Sequence, residues 1–107
     1  MSYAIGNIIW GFPIEDVLYN RIAKKLGEDW EEEFDKKDGI LSWYGGDEKC
    51  LAFGIQLYAI DEFSNINLSQ LSHSLATFNP VLPPVPEKLK EFFLADYPKY
   101  WIVWSLS

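Results

Sequence analysis

A chain of 107 residues with one cysteine, one histidine and a net charge of −7 has room for a single domain and no internal disulfide. Nucleic-acid phosphates and anionic membrane surfaces repel such a chain. Its 49% apolar and 17% aromatic content can bury a core without metal or disulfide staples. The opening residues, Met-Ser-Tyr-Ala-Ile, lack a basic region and apolar run, and no stretch is long enough to span a bilayer. One domain over residues 1–107, in the cytoplasm and without membrane association, is therefore expected.

The first element is a strand over Tyr3–Trp10. Tyr3, Ile5 and Ile9 fall on one face and Ala4, Ile8 and Trp10 on the other, so it reads as an interior strand. Gly11 and Phe12 read as a turn, with Pro13 opening a helix to about Leu26. Ile14, Val17, Leu18, Ile22 and Leu26 make its apolar stripe. Glu15 and Asp16 at its start and Lys24 and Lys25 at its end suit the helix dipole. A second short helix follows, with Asp29 and Glu32 at capping-box spacing and Trp30 and Phe34 on one face.

Ile40–Tyr44 and Cys50–Ile60 read as a hairpin around Gly45-Gly46-Asp47-Glu48. The alternation of the second strand puts Leu51, Phe53, Ile55, Leu57 and Ala59 on a core face. Leu68, Leu71 and Leu75 suggest a short helix capped by Asn67 or Ser64. Asn79–Pro86 is extended, a helix runs from Pro86 to about Ala95, and Tyr100–Leu106 is a last strand, apolar on both sides. This order is that of a ferredoxin-like βαββαβ sandwich, an α+β fold with a four-stranded, mainly antiparallel sheet and helices on one face.

The charge is unevenly spread. Residues 28–48 hold nine acids (Glu28, Asp29, Glu31, Glu32, Glu33, Asp35, Asp38, Asp47 and Glu48) and two bases, Lys36 and Lys37. The seven acids and seven bases elsewhere cancel, so the whole excess lies in this span. One reading is a solvated surface that keeps an aromatic-rich protein soluble. The other is a docking face for a basic protein, steered by the acids and anchored by Trp30, Trp43 or Tyr44.

The chemistry-bearing motifs are sparse. The acidic run lacks the ligand spacing of a Ca²⁺ loop, and one Cys with one His cannot make a Cys/His metal site. Cys50 and His73 would form a nucleophile–base pair only if the fold joined them. Asn7, Gln56, Tyr58 and His73 are the polar residues a substrate pocket would draw on. No Gly-rich phosphate loop, His-Glu-x-x-His or Gly-x-Ser-x-Gly motif occurs. Catalytic residues, metal and cofactors are therefore not expected.

The first expectation is a non-enzymatic binding or inhibitor protein that occupies a basic partner's site. In character this is the logic of toxin-immunity proteins and of phage inhibitors that mimic nucleic acid. The alternative is a dimeric ligand-binding or regulatory domain of ferredoxin-like type, suggested by the doubly apolar last strand. Scattered lysines give no basic patch, so direct nucleic-acid binding is not expected.

Overall fold

The computed structural model describes residues 3–45, 48–93 and 98–106. Strands β1 (Ala4–Ile14), β2 (Ile40–Gly45), β3 (Glu48–Asp61) and β4 (Lys99–Leu106) form one antiparallel sheet in the order β2-β3-β1-β4. β1 pairs with β3 on one side and β4 on the other. It is thus the interior strand that its two apolar faces predict. Helices α1 (Asp16–Leu26), α2 (Leu68–Thr77) and α3 (Lys90–Phe93) complete an α+β domain. Among the described residues no helix is long and apolar enough to cross a membrane.

The helix-covered face of the sheet carries the main core. Phe12 and Ile14 of β1, Ile40 of β2 and Leu51 and Phe53 of β3 pack with Ile22, Trp30, Leu89 and Phe93. Phe12, Phe53 and Phe93 stack on one another with ring centroids 5.1–6.2 Å apart. Within α1, Leu18, Ile22 and Leu26 face this core, as the periodicity predicts. Val17 does not, being 77% exposed. It lies five residues before Ile22, roughly 140° round the helix axis.

Three boundaries differ from the sequence reading, and each has a physical cause. β1 does not turn at Gly11 but continues through Pro13 to Ile14, and α1 begins only at Asp16. β4 ends its pairing opposite Gly11, so from there one side of β1 is an edge, where proline is tolerated. Gly11 and Gly54 face each other across β1 and β3, both at positive φ. A Cβ on Gly11 would sit 2.0 Å from the Phe53 carbonyl oxygen, and one on Gly54 2.1 Å from that of Trp10. Only glycine permits this approach.

Leu57 of β3 has no partner, because the register jumps from Ile8↔Tyr58 to Ile9↔Gln56. A bulge exchanges the two faces of a strand. The expected core face therefore holds for Leu51 and Phe53 but not to Ala59. Beyond the bulge Ala59 pairs with Asn7 and is exposed.

The third difference is the acidic segment. It forms a 3₁₀ turn at Trp30–Glu33, with no side-chain cap from Asp29, and a second at Lys36–Asp38. The capping box sits in this second turn, where Asp35 accepts from the Lys37 and Asp38 amides and Asp38 accepts from Asp35. In a longer α-helix these acids would meet one another at three- and four-residue spacing, which is destabilising.

Among the described residues no helix covers the other face of the sheet, yet Ile9, Leu41 and Ala52 are buried there with Trp43 and Val103 against them. The sheet covers this face by curling. β2 and β4 are opposite edges, but the Cys50 thiol beside β2 reaches the Trp104 carbonyl of β4 at 3.8 Å. Asn7 is 2% exposed in this concave layer. Its Nδ2 donates to the Val103 carbonyl and to Ser105 Oγ, each at 2.9 Å, and its Oδ1 accepts from Gln56 Nε2 at 3.0 Å.

Candidate functional site

The acids predicted to dock a partner divide by their surroundings. Glu28, Asp29, Glu32, Glu33, Asp35 and Glu48 are exposed. Glu33 pairs with Lys88 at 2.9 Å, and Asp35 and Asp38 are occupied in capping. Asp47 lies outside the described residues. Glu31 is largely sequestered. Its Oε1 accepts from Lys49 Nζ at 2.9 Å, while its Oε2 is buried without a partner among the described residues.

Of the three aromatic anchors predicted for this surface, Trp30 is a correction. It is 1% exposed and packs between Tyr19 and Phe34, at centroid distances of 5.5 and 6.3 Å. Hydrophobic burial draws the indole inward and leaves its acidic neighbours outside. Trp43 is half-buried against the concave layer. Tyr44 is 63% exposed and available at the surface.

Three adjoining depressions join Glu31, Glu32, Asp35 and Glu48 with Glu15 and Asp16 into a band, whereas Glu28, Asp29, Glu33 and Asp38 line none of the three. A cleft of about 520 Å³ is lined by Glu31, Glu32, Asp35, Lys36, Trp43 and Lys49, among others. It shares Glu31 and Lys49 with a smaller one of about 260 Å³, which adds Asp16, Tyr19 and Glu48. The third, of about 550 Å³, shares Asp16, Glu48 and Lys49 and adds Glu15, Val17, Trp101, Ile102 and Trp104. It lies where the start of α1 and the β2–β3 hairpin approach β4. Carboxylates from the start of α1, the first 3₁₀ turn and β3 thus follow one another from Glu32 to Glu15, ending at β4, whose Trp101 (39% exposed) and Trp104 (60% exposed) rings stand on opposite faces of the sheet.

Lys36 and Lys49 are the cations that line the band, and Lys49 is common to all three depressions. Its hydrogen bond to Glu31 raises its pKa against the opposing effect of burial. Burial, and then the neighbouring Glu31 carboxylate, raise the Tyr19 phenol above its ordinary value. Lys49 neutralises Glu31 and leaves Asp16, Glu32 and Glu48 as outward-facing charge. Among the described residues no three His, Cys, Asp or Glu side chains are grouped to hold a metal ion. The carboxylates are spread along the band rather than gathered at one point.

The residues considered for a substrate pocket are not gathered. Asn7 and Gln56 bond to each other in the concave layer. Tyr58, paired with Ile8 beyond the bulge, is exposed. His73 is exposed on α2, and the Cys50 thiol is directed to the Trp104 carbonyl.

Glu15, Asp16, Lys49, Trp101 and Trp104 belong to the site but were not singled out from the sequence. Glu15 and Asp16 are accounted for by the helix dipole, and the two tryptophans read as strand core. The doubly apolar pattern of the last strand was the one available signal. Comparison with known protein families, curated proteins and solved structures returns no match.

Proposed function

We propose that this chain is a non-enzymatic binding protein that captures a basic protein partner, in the manner of an inhibitor occupying a site built for anionic groups. The observation that carries this reading is the continuity of the carboxylate band with Trp101 and Trp104. Acids steer a basic surface and set its orientation, while exposed aromatics supply the buried contact that gives affinity. Tyr44 offers a further aromatic contact.

The test uses acids that make no side-chain hydrogen bond or ion pair among the described residues; of these, Asp16 also suits the dipole of α1, an effect of about 0.3–1 kcal/mol. Glu31 and Asp35 are unsuitable, because one neutralises Lys49 and the other caps a turn. Asp16→Lys, Glu32→Lys and Glu48→Lys combined should leave the far-ultraviolet circular dichroism unchanged. Affinity capture from the native host, quantified by mass spectrometry, should show a basic protein retained by the natural chain and lost by the triple variant. Retention of the same protein by the triple variant, with equal salt sensitivity, would refute the acidic-band reading.

A further inference from the structure

We propose, resting on the acidic-band reading above, that the basic partner docks by adding an extended segment to the open edge of β4, as a further strand of the sheet.

The neighbours of β4 fix which way its backbone groups point. The Ala4 carbonyl accepts from the Glu62 amide, on the β3 side of β1. In an antiparallel strand successive residues turn their N–H and C=O groups to opposite sides. Ile5, Asn7 and Ile9 therefore address β4, where they pair with Ser105, Val103 and Trp101. Tyr100, Ile102, Trp104 and Leu106 turn theirs outward. The Trp104 carbonyl conforms, since the Cys50 thiol approaches it at 3.8 Å from across the concave layer. Among the described residues no strand pairs with this edge.

Folded proteins blunt open edges with charges, prolines, bulges or very short strands. β4 runs eight residues in unbroken register with β1 and carries no proline and no charge after Lys99. The opposite edge is treated differently. β2 has six residues, and the Asp35 carbonyl takes its outward Ile40 amide. The unguarded groups of β4 match the backbone of an extended chain, whereas a helix has already spent its own.

Charge selects which extended chain. The cleft of about 550 Å³ beside β4 is lined by Glu15, Asp16 and Glu48 as well as by Trp101–Trp104. All three acids are exposed, and the one cation lining this cleft, Lys49, is held by Glu31 at 2.9 Å. A segment bearing Lys or Arg complements these acids while its backbone completes the edge. Its apolar side chains pack beside Ile102 and Trp104, 54% and 60% exposed.

The probe is a peptide of about ten residues alternating Lys and Val, titrated into the full chain and followed by backbone amide exchange. Exchange at Ile102 and Trp104 should slow at least about tenfold on saturation. The same peptide N-methylated at every residue keeps its charge but cannot donate to the edge, and should bind at least about tenfold more weakly. The combined Asp16→Lys and Glu48→Lys variant should weaken the unmodified peptide. Equal binding by the methylated peptide, binding without protection at Ile102 and Trp104, or no binding at all would overturn the proposal. So would protection of these two amides in the free chain that grows with its concentration, because a second copy would then hold the edge. Capture of the host protein by the triple charge-reversal variant reads the acidic band independently, so the two failures are distinct.

Discussion

Asn7→Ala should be among the most damaging single substitutions in this fold, although it removes few atoms. Asn7 ties β1 to Ser105 and the Val103 carbonyl of β4 and to Gln56 of β3, through three bonds of 2.9–3.0 Å. Each such bond is worth about 0.5–1.5 kcal/mol net, and each buried group left without a partner costs about 1–3 kcal/mol. Ser105 is 7% exposed and has little access to replacement water, whereas Gln56 is only half-buried and can rehydrate. The total comes to about 3–5 kcal/mol, a large part of the about 5–15 kcal/mol that stabilises a domain of this size.

Urea unfolding followed by tryptophan fluorescence measures this directly. The midpoint should fall with an unchanged slope, because the surface exposed on unfolding is the same. Ser105→Ala alone should cost less, and the double variant should show a coupling of about 0.5–3 kcal/mol. A loss below about 1 kcal/mol for Asn7→Ala, or strict additivity with Ser105→Ala, would show that the concave layer does not depend on this network.

Two further substitutions probe the segment between core and acidic band. Trp30→Ala should cost about 3–5 kcal/mol by opening a cavity between Tyr19 and Phe34. Trp30→Phe should cost under about 1.5 kcal/mol, since it also removes an indole N–H buried without a partner among the described residues; equal losses in urea would contradict this. The Lys49 and Tyr19 pKa values are raised above 10.5 and 10.0, so both groups favour their protonated forms in the folded state. Their contribution is therefore complete below the unfolded values and is lost as pH rises through the raised folded ones. Urea midpoints from about pH 8 to about pH 11.5 should show an alkaline decline that Lys49→Met flattens.

Local periodicity alone determines much of this molecule. Ile8 and Ile9 mark β1 as a two-faced interior strand, and Leu18, Ile22 and Leu26 mark the buried side of α1; of the two caps the sequence offers for α2, Asn67 and Ser64, the structure uses Asn67. These features are legible because burial on one face repeats with the period of the element. The excess of acid over residues 28–48 was legible for a simpler reason, since charge can be counted.

The tertiary structure decided what adjacent residues cannot report. Gly11 reads as a turn until Gly54 faces it, and the continuation of β1 follows from that close approach. Leu57 falls in an alternating run, and the pairing register makes it a bulge. Trp30 sits among acids in the sequence but goes to the core, because its large apolar surface outweighs the polarity of its neighbours. Glu15 and Asp16 are helix-dipole residues along the chain and members of the carboxylate band in space, some thirty residues from Glu48. The amount of acid was thus determined by the sequence alone. Its alignment beside Trp101 and Trp104 was decided by the curl of the sheet, which brings distant charges onto one surface.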